Sequence, residues 1–131
     1  MNHTGNINHH EVLRARVALL GSGTLPIRHQ IAAYRTLAEV SPLAYLPLLA
    51  PALYEYSRLE FAHQPETALA LRAEGVAAAR RMCGLEAGWE DVLVGALRRY
   101  REQLELMGRE DELTAVEAEI GEIARGALGG K

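Results

Sequence analysis

From residue 43 to residue 128 the chain reads as one pattern written twice, and a chain that repeats at this period is constrained to be a stack of small, like units. A shift of 44 residues superposes Tyr45 on Trp89, Leu49 on Leu93, Ala52 on Ala96, Leu53 on Leu97 and Tyr56 on Tyr100. A shift of 45 then superposes Leu59 on Leu104, Glu60 on Glu105, Glu74 on Glu119 and Arg80 on Arg125. One residue is therefore gained or lost late in the first helix of the unit. Alanines and leucines align by chance in any helical protein, but matched aromatic, glutamate and arginine positions do not readily do so together.

Each unit reads as a pair of helices. In residues 65–83, Pro65 suits a first turn, and Gly84 is expected to end the helix in a left-handed conformation. Between them Ala68, Leu69, Val76, Ala79 and Met82 recur at helical spacing. This face is shallow, and Gly75 in its middle costs about 1 kcal/mol relative to alanine unless a neighbouring helix approaches closely. It has the surface of a helix gripped on more than one side. Upstream, residues 9–20 place Val12, Leu13, Val17 and Leu20 opposite Arg14 and Arg16, before Gly21-Ser22-Gly23 and a candidate N-cap at Thr24. That glycine turn has neither a preceding strand nor a following Gly-Lys, so it is not a phosphate loop.

A second helix, 25–40, carries Ile27, Ile31, Tyr34 and Leu37 on one face. A third, 43–62, carries Tyr45, Leu48, Leu49, Ala52, Leu53, Tyr56 and Leu59, and Pro47 and Pro51 inside it predict a bend or a late start. After the central helix, residues 89–107 present Trp89, Val92, Leu93, Ala96, Leu97, Tyr100, Leu104 and Met107 and stop at Gly108. Residues 110–128 present Leu113, Val116, Ile120 and Ile123 behind an acidic first turn. The expectation is an all-α domain over 9–128, with tails at 1–8 and 129–131. Six helices would make three antiparallel hairpins: a partial unit at 9–40 and full units at 43–83 and 89–128.

Composition agrees, because aromatic residues are only 5% while hydrophobic residues are 49% and rich in Ala and Leu. A formal net charge of −3 gives no reason to expect nucleic acid or an anionic membrane as partner. The single cysteine, Cys83, precludes an internal disulfide and fits a reducing cytoplasm. The N-terminal residues lack the basic and apolar regions of a signal peptide, and no apolar run reaches the ~18 residues of a membrane span. His3, His9 and His10 beside Glu11 invite a metal, but adjacent histidines on a helix point about 100° apart and cannot share one ion well. No catalytic residue is expected either. Cys83 falls in a last turn, where the helix dipole raises a thiol pKa, His63 falls in a turn, and Glu110, Asp111 and Glu112 crowd an exposed one. The reading is a cytoplasmic protein without enzyme activity, cofactor or metal.

YRTLAEVSPLAYLPLLAPAL, residues 34–53, followed by PETALALRAEGVAAARRM, resembles the long form of the tetratricopeptide repeat, the kinesin-light-chain type common in actinobacterial proteins. Glu66, Ala68, Leu69, Glu74, Val76, Arg80 and Met82 fit that family's second helix, as do Gly108-Arg109, Glu112, Glu119 and Arg125 in the next unit. The resemblance covers residues 34–128 and implies a short right-handed superhelix of hairpins that acts as a scaffold. In that family paired asparagines of the first helix face the concave groove and hold a bound peptide's backbone. Here Tyr54-Glu55 and Arg98-Arg99 stand in their place.

The groove would therefore offer an aromatic ring, Tyr54, and guanidiniums from Arg98, Arg99, Arg58 and Arg101. Arginine forks take carboxylates two bonds at a time, so an acidic or C-terminal-carboxylate segment is the expected ligand. The plain alternative is a solvated face in which these arginines pair with Glu55, Glu102 and Glu105. The sequence-level expectation is a protein–protein interaction module that binds a peptide segment. Its rival is a self-associating domain accompanying a larger signalling or conflict-system protein, dimerising through the N-terminal hairpin while the last helix, with Glu117, Glu122 and Arg125, caps the other end.

Overall fold

The computed structural model describes residues 9–20 and 25–129, and among them the chain is all helix and connection. Six helices follow in order: α1 (His9–Leu20), α2 (Ile27–Ala38), α3 (Pro42–Glu60), α4 (Pro65–Leu85), α5 (Glu90–Met107) and α6 (Glu110–Gly129). Each packs chiefly on its sequence neighbours, so the contacts run along the stack. The glycine turn at 21–24 and His3 lie outside the described residues.

Three apolar clusters fill the stack in succession. Val12 and Ala15 of α1 meet Ala33 and Leu37 of α2. Ile31, Leu49, Leu53, Ala78 and Met82 join α2, α3 and α4. Leu69, Val76, Ala79, Leu97, Leu104 and Val116 join α4, α5 and α6. The α4 residues expected to be buried are all buried, and α4 packs on both α3 and α5.

One ion pair repeats with the structure. Arg35 of α2 holds Glu74 of α4 through Nε and Nη2 at 2.8 and 2.6 Å. Arg80 of α4 holds Glu119 of α6 through the same two nitrogens at 3.3 and 2.6 Å. Both residues of the second pair lie 45 positions after those of the first, so the 45-residue shift extends back into α2, beyond the residues where the sequence pattern shows it plainly. Hydrogen bonding to Glu74 raises the Arg35 pKa above its ordinary value despite partial burial.

Several local expectations are corrected. α1 buries Val12 and Ala15, whereas Leu13 and Val17 are 60% and 59% exposed, because the small Ala15 lets α1 settle against α2 on that side. α3 does not start late: Pro42 occupies its first turn and the helix runs through Pro47 and Pro51. Within it Leu48 and Leu59 are exposed, while Leu46, Ala50 and Ser57 are buried. α4 continues past Gly84 to Leu85, and the left-handed glycines are Gly88 and Gly108. Gly108 ends α5 as expected, with its N–H on the Glu105 carbonyl and that of Arg109 on the Leu104 carbonyl.

Candidate functional site

α3 and α5 flank a groove whose floor is α4. On α3, Pro47, Pro51 and Tyr54 stand at spacings of four and three, which brings them to one face. On α5, Asp91, Gly95 and Arg99 do the same at spacings of four. Arg72 and Gly75 of α4 close the cavity from below, and its volume is about 290 Å³. A second, wider depression of about 710 Å³ shares Tyr54 and Arg72 and continues over Arg58, Glu102 and Leu106. A shallow third one shares Gly95 and Arg99 with the first and carries Arg98 and Arg101. The first two form one groove, while the third is lined by α5 alone and lies beside it.

Tyr54 is its centre. The Arg99 guanidinium carbon lies 4.4 Å and that of Arg72 4.8 Å from the ring centroid, both within cation–π range. Two cations thus gather on one ring. Arg72 is only 8% exposed. Its Nε donates to Ser57 Oγ at 3.1 Å, and Nη1 donates to the Arg99 carbonyl at 2.9 Å and to Glu102 Oε1 at 3.1 Å. Ser57 in turn donates to the Tyr54 carbonyl. One side chain of α4 therefore ties α3 to α5 beneath the groove.

Of the six residues singled out from the sequence, the structure brings three to the groove, Tyr54, Arg58 and Arg99, and places Arg98 and Arg101 beside it on α5. Tyr54 and Arg99 are stacked, Arg58 lines the second depression, and Arg98 and Arg101 line the third. Glu55 does not line any of these depressions; it forms an ion pair with Arg58 one turn along α3. The paired-face alternative holds in part, since Glu55 is taken by Arg58 and Glu102 by Arg72. Arg98, Arg99 and Arg101, by contrast, have no side-chain hydrogen bond or ion pair among the described residues.

Sequence reasoning missed Arg72. Its signal was available: position 72 falls three residues after Leu69 and four before Val76, on the apolar stripe of α4, where a charge must be paired or put to use. Ser57 was missed for the same reason on α3. Cys83 lies away from the groove, packed against the last cluster, and burial, followed by the charge of Glu90, pushes its thiol pKa up. The direction matches the sequence reading, but its causes are burial and Glu90.

Among the described residues no three His, Cys, Asp or Glu side chains cluster as a metal site would require, and no helix is long and apolar enough to cross a membrane. No family model, curated protein or solved structure matches the chain.

Proposed function

We propose that the chain is a non-catalytic, tetratricopeptide-like interaction module that holds an acidic segment of a partner protein along the α3–α5 groove. What carries this reading is where its unpaired arginines stand. Arg28, Arg81 and Arg125 also have no carboxylate partner among the described residues, but Arg98, Arg99 and Arg101 gather on one stretch of α5, with Arg99 on the Tyr54 ring. Forked donors left unspent beside an aromatic ring suit a ligand that brings carboxylates with it. Tyr54 supplies the apolar contact, while Arg99 and Arg98 supply carboxylate recognition. Pull-down from lysate with wild type and with Arg98→Ala plus Arg99→Ala tests it. Salt-sensitive capture of a partner by the wild type, lost in an equally helical variant, is the expected result, and undiminished capture removes the groove from consideration.

A second reading, self-association through the N-terminal hairpin, is favoured by one observation. Leu13 and Val17 stand one turn apart on α1 and are more than half exposed. Light scattering on wild type and on Leu13→Glu decides it: a dimer that becomes a monomer supports this reading, and an invariant monomer rejects it.

A further inference from the structure

We propose that the cavity between α3, α4 and α5 is a binding site for a free, small carboxylic acid with an apolar body. This reading stands whether or not the wider groove also takes a protein segment.

Four residues that weaken helices line this cavity, while Gly121 and Gly126 of α6 lie elsewhere. Pro47 and Pro51 interrupt the hydrogen-bonding of α3, and Gly75 and Gly95 sit in the interiors of α4 and α5; all four line it. The fold does not require either glycine. Both have ordinary negative φ. A methyl group at Gly75 would meet the Ala50 carbonyl oxygen at 3.7 Å, an ordinary contact, and one at Gly95 would meet nothing within 4 Å. What the missing side chains leave is space. Departures from local helical preference that gather around one cavity mark a place where a site, rather than stability, sets the residue.

The second observation is Arg72, which is more than nine-tenths buried and lines the same cavity. Its Nε and Nη1 are bonded, while Nη2 has no hydrogen bond among the described residues. No buried side-chain nitrogen in the described structure lacks a partner, so Nη2 is not sealed off, and Arg72 lines both this cavity and the wider depression beside it. Arg99, with no acid of its own, lines the same cavity and shares the Tyr54 ring with Arg72. An anion between them would complete both forks.

Charge selects which anion. Glu102 already offsets Arg72, and Asp91 stands on the rim. Two arginines against two carboxylates leave the site without net charge, so a dianion such as a phosphate monoester is repelled more than a monoanion, and a planar carboxylate fits the fork geometry. Pro47, Ala50, Pro51, Val92 and Ala96 give the rest of the wall an apolar surface. At about 290 Å³ the cavity falls just below the usual ~300–1,000 Å³ of small-ligand sites, which suits a small acid.

Two-dimensional ¹⁵N NMR of the full chain provides the test, titrated in parallel with hexanoate, phenylacetate, hexanol, hexyl phosphate and the peptide acetyl-Gly-Gly-Leu. Both free acids should shift the Gly75 and Gly95 amides saturably, with hexanol at least about tenfold weaker. Arg99→Gln should weaken the acids about tenfold. Arg98→Ala, outside this cavity, should leave them unchanged, which separates this site from the segment-binding reading. Gly75→Ala and Gly95→Leu should each weaken or abolish the shifts while keeping or raising the melting midpoint, so lost binding cannot be put down to lost folding. The proposal fails if neither acid gives a saturable shift, or if filling the cavity leaves binding intact. Tighter binding of hexyl phosphate overturns the monoanion assignment, and binding of the peptide alone overturns the free acid.

Discussion

At the scale of single residues the chemistry of this molecule turns on Arg72. Desolvating a guanidinium costs several kcal/mol, and here the cost is met by Ser57, the Arg99 carbonyl and a Glu102 that is itself 58% exposed. Since Glu102 would regain water if left alone, no buried charge would be orphaned by removing the arginine. Arg72→Met should therefore fold and change unfolding free energy by no more than about 1 kcal/mol, far from the 3–5 kcal/mol of a broken buried pair. Urea melts followed by circular dichroism measure this, and a loss above that bound would mean Arg72 is structural first. Cys83 gives a second prediction at this scale. Its raised pKa keeps the thiol protonated, and the thiolate is the reactive form. At pH 8 its reaction with Ellman's reagent should be slower than that of N-acetylcysteine. Its stabilising contribution is present below the unfolded thiol's pKa and is lost as pH rises through the folded one.

At the scale of elements, one substitution should change sign with its place in the helix. Gly75 and Gly95 have helical backbones and room for a methyl group, so Gly→Ala at either should stabilise by up to about 1 kcal/mol. Gly108 sits at φ 68°, where a Cβ is strained, so Gly108→Ala should destabilise by about 1 kcal/mol. Thermal melts of the three variants compare them directly. Elements also show where the sequence was legible. α5 and α6 have a single apolar stripe each, and the residues read from those stripes lie in the cores or against them; on α4 Leu69, Val76, Ala79 and Met82 were read, and Ala78, which faces the other cluster beside Met82, was not. α1 offers two overlapping stripes, one through Val12 and Ala15 and one through Leu13 and Val17. Only contact with α2 decides between them, and nothing local records that contact. For Arg72 and Ser57 the place on a stripe was legible, but the partners that satisfy them, 15 and 30 residues from Arg72, were not. Of the groove, the flanks were readable from Tyr54 and Arg99, but the floor was not.

At the scale of the whole molecule, stability is a sum of interfaces between successive helices, because each helix rests mainly on its neighbours in sequence. The repeated ion pairs contribute little to that sum. Their side chains are about one-third to one-half exposed, so a double-mutant cycle on Arg80 and Glu119 should give a coupling of about 0.2–1 kcal/mol that falls with added salt. Their use is in register, since the same bidentate geometry sets α4 against α2 and α6 against α4. Apolar burial is distributed less evenly. α4 contributes Ala78 and Met82 to one cluster and Leu69, Val76 and Ala79 to the next, whereas among the described side chains α1 contributes Val12 and Ala15, with Leu19 against them, to a small one. In a stack of this kind opening begins where the fewest apolar contacts must be broken. Native-state hydrogen exchange should therefore show α1 exchanging fastest and α4 slowest, with α4 amides approaching the free energy of global unfolding. Equal protection in α1 and α4 would show that the stack opens all at once, and the added hold on α1 would then have to come from a second copy covering Leu13 and Val17. That outcome would also make exchange in α1 depend on protein concentration, which a monomer cannot do.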